Sequence, residues 1–451
     1  MKSNKPQIFT ARAKSFLVDL RLRLAADDPA LERQLRFTFL DTASTALGSL
    51  AAPELIALQK QHARLSPGSL RPPGFAESLT PSGAALVLAA SACWEELVEG
   101  YAPAHGRPAL HVVPICMVLG QTIEAAMGAL FLGYELGARI GEWYQVPLGE
   151  HVDGTWGTPA AALTAAALLD IGIENETAAI SSALCQMSRS LFIALKEGAS
   201  CRVLYPSLAV ARGIDLAIAA SAGFKSPKDI DTDPVLSEIG KGAIDLEPRT
   251  VLAIHSSYIK IVPGARHIHY AAEATKIWLK KYGENIGLGQ CNFERLLLST
   301  IELRTYPEAC KYCGNPNPTN RIQAQFSLVF AVAATLRWGE LKPDYFKDNN
   351  LKDPILQSLI QQIKLVSIND EASRWAELIV AENSEIPLRA RVDSLPGDPE
   401  FPINTEQRLA KAQALLEPLM GQGDAEVLIE HWMDAPKTSS LWPKLNSTRK
   451  D

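Results

Sequence analysis

The sequence predicts a mainly α protein of two parts: a long helical stretch, an α+β block after it, and a helical tail. Three observations carry this. Small apolar residues recur at helical spacing through about residue 222. Beyond Phe224 the chain turns charged and Pro- and Gly-bearing, then offers short runs of β-branched residues between helical patterns. At 451 residues, 47% of them hydrophobic and 21% charged, the chain is too long for one small domain and has ample apolar material for large cores.

Taken in order, Lys2 to Gln7 reads as a disordered start, and Thr10 to Ala51 as helix, with Phe16, Leu17, Leu20 and then Leu31 to Leu50 spaced for one face. Ser66 to Pro81, dense in Pro, Gly and Ser, is a loop. A buried helix ends near Gly100, and Tyr101 to Pro114 is a second loop. Helical patterns follow at about 114–142, 157–171, 175–196 and 206–222. Lys225 to Arg249 suits a linker or an exposed flap. His255 to Val262 and Phe293 to Arg304 are candidate strands, as are Ile363 to Ile368 and Leu388 to Val392. His269 to Tyr282, Gln323 to Arg337 and Glu400 to Gly421 read as helices.

A net charge of −6 argues against a nucleic-acid surface as the main role. No apolar stretch follows the N-terminal lysines, so no secretory signal is expected. The long apolar runs are interrupted, Ser82 to Leu97 by Ser91, Glu95 and Glu96, and Met117 to Gly141 by Gln121, Glu124 and Glu135. No membrane span is therefore expected. Seven scattered cysteines fit free thiols in a reducing compartment, so a cytoplasmic location is expected. Cys310-Lys-Tyr-Cys313 lacks the further ligands of a zinc site, and no metal or other cofactor is expected.

His151-Val-Asp-Gly-Thr-Trp-Gly157 precedes an alanine-rich helix with Pro159 in its first turn. A helix start with free N–H groups beside His151 and Thr155 suits a carboxylate. Arg107, Arg202, Lys260 and Arg266 stand near turns and are candidate cationic partners for such an acid. No nucleophile elbow, phosphate loop or dinucleotide fingerprint occurs.

Several stretches, in one order, resemble the MmgE/PrpD family, which includes 2-methylcitrate dehydratase, cis-aconitate decarboxylase and iminodisuccinate epimerase. Gly106-Arg-Pro-Ala-Leu-His-Val-Val-Pro114 resembles G-H-P-x-x-x-V-x-P, and the 151–157 stretch resembles H-x-x-G-T-x-G. Arg202 to Ala209 falls where the family has K-R-x-H-x-G-x-A, and Ala219 to Phe224 where it has A-x-x-G-F. Lys260-Ile-Val-Pro-Gly-Ala-Arg-His-Ile-His269 is similar to K-x-Y-P-x-C-x-x-x-H. Ala324 to Ala331 and Pro396 to Pro402 resemble two further stretches. The resemblance implies a large all-helical domain, residues 1–255 with a C-terminal segment 396–451 returning to it, and a smaller α+β lid over 256–395. It also implies a site between them, a homodimer, and proton transfer next to a carboxylate without a metal.

The departures bear on the site. Arg107 stands where the family's first catalytic His is, Val98-Glu99 where its Asp-Asp segment is, and Arg202 and Tyr205 where its lysine and second histidine are. Ala265 replaces the residue five after the lid lysine. His151, Lys260 and Tyr205 are then the expected catalytic groups, with Arg107, Thr155, Trp156, Arg202, Arg266 and His269 binding a small carboxylic acid. Dehydration or decarboxylation of an alkylcitrate- or aconitate-like acid is the first expectation. Isomerisation, epimerisation or cyclisation, and a catalytically silent binding protein, are the alternatives.

Overall fold

The computed structural model describes residues 8–282, 296–297, 299–370, 374–381 and 386–445. The first part is helical: α1 Phe9–Ala25, α2 Pro29–Gly48, α3 Pro53–Leu65, a short strand β1 Pro67–Leu70, α4 Pro81–Trp94, α5 Pro108–Leu119 and α6 Ile123–Trp143. Then come α7 Gly157–Leu168, α8 Ile173–Leu184, α9 Ile193–Glu197, α10 Leu204–Ser221 and α11 Pro234–Ile239. Proline opens α2 to α5, where its missing N–H would have had no helical partner anyway. Thr80 caps α4 by accepting from the Gly83 N–H at 3.1 Å, and Thr122 caps α6 from Ala125 at 3.2 Å.

Small residues let these helices approach closely. A Cβ on Gly133 of α6 would lie 1.9 Å from Thr164 Oγ1 on α7. One large core runs from Phe9 to Ile254 and takes in Ala412 to Leu441 of the tail. An alanine-rich core binds α4, α7, α8 and α10. The stretch Ser200–Ser221 is apolar and long enough to cross a membrane, although no span is expected from the sequence. Half of it is buried against neighbouring helices of this fold.

The second core draws on Leu195 and on Ala265 to Leu395. Helix α12 Arg266–Tyr282 lies against a four-stranded sheet of β2 Thr300–Thr305, β3 Ile363–Ser367, β4 Ala376–Ala381 and β5 Leu388–Val392, in the order β3-β2-β4-β5. Strands β2 and β3 run parallel, with Leu303 opposite Leu365. The β2–β4 and β4–β5 pairs are antiparallel, with Leu303 opposite Leu378 and Leu378 opposite Ala390. The tail is helical over Thr405–Met420 and Gln422–Asp434. The protein is mainly α with a small α+β part.

Five expectations need correction. Tyr101 to Pro114 is not all loop, since α5 begins at Pro108, and the helix expected over 175–196 is two, Ile173–Leu184 and Ile193–Glu197. His255 to Val262 is no strand: Ala253–Ser256 is a 3₁₀ turn, and Tyr258 makes only an isolated bridge to Gly100. The helix expected over Gln323 to Arg337 is two, Arg321–Gln325 and Leu328–Trp338. Ser327 caps the second from the Phe330 N–H, and the Gln325 carbonyl is turned to Ala265 N. The strand expected at Phe293 begins at Thr300, and part of that stretch lies outside the described residues.

Candidate active site

The site is organised by Glu96, two residues past α4. Its φ of 52° is left-handed, a conformation that costs a non-glycine residue on the order of 1 kcal/mol and persists only where surroundings impose it. Glu96 Oε1 meets Arg107 Nη1 at 3.0 Å and Lys260 Nζ at 2.9 Å, and Oε2 accepts from Arg202 Nη2 at 2.5 Å. Asp153 pairs with Arg107 Nη2, and its Oδ2 lies 3.9 Å from Arg202 Nη1. All five side chains are buried, three cations against two carboxylates. Burial alone would raise the Glu96 pKa, yet Arg107, Lys260 and Arg202 hold it well below the usual carboxylate range. Burial brings Lys260 down to about 8, opposed by Glu96.

A cavity of about 410 Å³ opens beside this cluster, between the helical part and the α+β part. Arg107, His151 and Asp153 line it from one side, and Tyr258, Arg266 and Arg374 from the other. Phe192, Tyr312 and Phe326 give it an aromatic wall. The His151 ring lies 6.2 Å from Phe192 and 6.4 Å from Phe326, centroid to centroid. The Asp153 N–H donates to His151 Nδ1 at 3.1 Å. Neutral His151 therefore carries its proton on Nε2, which has no protein partner among the described residues. Burial holds the His151 pKa below its ordinary value, against the pull of Asp153, so the ring is neutral at pH 7. His105 also lines the cavity, with φ 51° and a pKa lowered by burial.

Of the expected site residues, His151, Arg107, Lys260 and Arg266 line the cavity. Their availability differs from expectation. Lys260 spends its three protons on Glu96 O at 3.1 Å, Glu96 Oε1 at 2.9 Å and Gly264 O at 3.2 Å, so it ties the two parts together rather than serving as a free acid. Arg107 and Arg202 are paired internally, and Arg266 pairs with Asp398. Five expected residues fall outside the cavity lining, Arg202 behind Glu96 among them. Thr155 Oγ1 donates back to Val152 O at 2.5 Å. Trp156 is fully buried against the His111 ring, 5.3 Å away. Tyr205 donates its hydroxyl proton to Leu191 O at 2.9 Å. His269 is buried, taking a hydrogen bond from Arg266 Nη1 at 3.2 Å and donating from Nε2 to Gly264 O at 3.2 Å.

The start of α7 is also closed to a ligand. His111 Nε2 accepts from the Gly154 N–H at 3.2 Å, and a Cβ on Gly157 would fall 2.0 Å from the His111 ring. Burial lowers the His111 pKa to about 4, so a neutral core imidazole meets this turn. Gly157→Ala is expected to destabilise the fold by about 1–3 kcal/mol through overpacking, seen as a lower urea midpoint at unchanged slope. An unchanged midpoint would show that His111 can swing aside.

Sequence reasoning missed Glu96, Asp153, His105, Lys241 and Arg374 as site residues. Glu96 registered only as a charge interrupting an apolar run. A useful signal was an acid at the end of a wholly apolar helix, where no water can serve it. The expected Val98-Glu99 segment lies elsewhere: Val98 is core, and Glu99 accepts from the Ala109 N–H at 3.1 Å and the Tyr134 hydroxyl at 2.8 Å. Burial pushes Glu99 from 4.5 up to about 8. The native state thus keeps a proton that the unfolded chain releases. This contribution to stability is fully present below pH 4.5 and is lost as pH rises through about 8. Glu135, raised to about 7 by burial, acts with the same sign. Glu99→Gln is expected to remove part of that decline in unfolding free energy, measured from about pH 5 to about pH 8.5; a variant with the full wild-type slope would refute it.

Cys93, Glu96 and Asp153 are a buried group of metal-ligand type, the one such group among the described residues. Arg107, Arg202 and Lys260 already occupy its carboxylates. A divalent cation there would meet three positive charges at short range, so this donor set does not fit one.

Residues 16–234 match the MmgE/PrpD N-terminal domain and residues 263–434 the MmgE/PrpD C-terminal domain. None of the curated proteins compared with the chain matches it.

Proposed function

The chain belongs to the MmgE/PrpD family, generally lyase- or dehydratase-like enzymes, and on that premise we propose that it eliminates a group from a small carboxylic acid by side-chain proton transfer. The observation that carries this reading is the state of His151. Its Nδ1 is held by the Asp153 N–H and its Nε2 has no protein partner among the described residues, which equips it to donate a proton to a departing hydroxyl or to an enolate oxygen. His105 lines the same cavity with its imidazole kept neutral, and takes the proton from the carbon next to the carboxylate. Arg374 and Lys241, cavity-lining cations with no ion pair among the described residues, hold that carboxylate and stabilise the negative charge as it develops.

Incubation in heavy water with a panel of carboxylic acids tests this by mass spectrometry. Deuterium incorporation or loss of water by at least one acid, abolished by both His151→Ala and His105→Ala, is the expected result. An active wild type whose rate neither substitution lowers would overturn the assignment. Binding of acids with no exchange and no product would favour a silent binding protein.

A further inference from the structure

The cations around the cavity are unequal. Arg107, Lys260 and Arg266 are committed to the protein's own carboxylates, and so is Arg202 behind them. Glu96 is the shared partner of three of these four cations. Its two oxygens together take Arg107, Lys260 and Arg202, the arrangement in which a cationic pocket grips a ligand carboxylate. The left-handed backbone at Glu96 shows that its position is imposed by the surroundings. What remains for a ligand is half-buried Arg374, with exposed Lys241 at the same cavity.

Part of the lining is aromatic, although Glu308 also reaches the cavity. Phe192 and Tyr312 meet edge to face at 5.4 Å, and Tyr312 stacks on His267 at 6.1 Å with 19° between planes. Phe326 continues this wall towards His151 and carries the Arg202 guanidinium over its ring at 5.3 Å. Such a surface offers little to a second or third carboxylate, because burying an unpaired charge there is costly. It suits a planar or alkyl group.

We propose that Glu96 is a built-in stand-in for a substrate carboxylate, so that the cavity takes an acid with one free carboxylate, held by Arg374, and an apolar or aromatic body against Phe192, Tyr312 and Phe326. This differs from the polycarboxylates that the family resemblance implies. It rests on the carboxylic-acid reading of the same cavity and names the substrate class within it.

Calorimetric titration of the full-length protein tests the proposal with three probes: 3-phenylpropionate, tricarballylate and the uncharged 3-phenylpropanol. The expected order is 3-phenylpropionate first, the others at least about tenfold weaker. Arg374→Met is expected to weaken 3-phenylpropionate by about tenfold or more and leave 3-phenylpropanol unchanged. In Glu96→Ala, which leaves Asp153 as the one carboxylate beside three cations, tricarballylate is expected to gain at least about tenfold and to raise the melting temperature more than it does in the wild type. Should Glu96→Ala fail to fold, the wild-type order and Arg374→Met still decide. Tricarballylate binding the wild type as tightly as 3-phenylpropionate, or indifference of 3-phenylpropionate to Arg374→Met, would overturn the proposal. The catalytic reading stands or falls separately. Arg374-dependent binding without deuterium exchange would leave the ligand class standing and remove the elimination chemistry.

Discussion

His151→Ala is expected to lower kcat/KM for the acid that exchanges deuterium by roughly 10²–10⁴-fold, the usual worth of one positioned acid–base group. The fold should survive, since His151 gives the protein a single acceptor, Nδ1 to the Asp153 N–H, and its ring lines the cavity rather than the core. The substitution also distinguishes the proton's place. If Nε2–H donates, Gln, whose amide N–H reaches a similar position, should retain more activity than Ala. If His151 works as a base instead, Gln and Ala should be equally inactive. The pH profile gives a second check. If His151 works as a base, burial places the acid limb of wild-type kcat/KM attributable to it below 6.5, and that limb should be missing in His151→Gln; if Nε2–H donates, no such limb is expected. Activity in both variants within about twofold of wild type would remove His151 from the mechanism.

Asp153→Ala is expected to cost about 3–5 kcal/mol of unfolding free energy, the range found when one partner of a buried ion pair is removed. Asp153 is the carboxylate on Arg107 Nη2 and the second carboxylate near Arg202. Without it Glu96 alone faces three buried cations, and Arg107 loses a charge-assisted hydrogen bond it cannot replace from water. Urea unfolding should show a lower midpoint at constant slope. The exposed pair Lys347–Asp344 is the control: Asp344→Ala should leave the midpoint where it is, since solvent screens such pairs. A loss at Asp153 no larger than at Asp344 would mean that water reaches the cluster and that its charges are not desolvated. Partial recovery of the Asp153→Ala midpoint on adding acetate would place the cost on the uncompensated cations.

Local pattern explains where the reading of the chain succeeded. Leu388 to Val392 alternates and Ile363 to Ser367 carries β-branched Ile363 and Val366, and both are strands. Small apolar residues from Thr158 onwards make α7, which needs nothing distant to be recognised. His255 to Val262 misled, because alternation alone does not supply a neighbouring strand, and only the bridge to Gly100 was available. The split at Phe326 was also invisible, since it depends on Ala265, some sixty residues earlier, taking the Gln325 carbonyl.

The site shows the same division. His151 could be singled out because it sits in a stretch that is unusual by itself, beside glycines and a helix start. Arg107, Arg202 and Lys260 could be singled out as cations near turns. That they are already paired could not be read, because their partner Glu96 belongs to a different element from all three. By itself, then, the sequence determined the helix-rich architecture, the family and the residue that faces the cavity with a free ring nitrogen, all consequences of local spacing and residue type. The tertiary structure alone decided which charges remain free. Charge pairing in a buried cluster depends on distances of about 3 Å between side chains of separate elements, and no linear pattern records those distances.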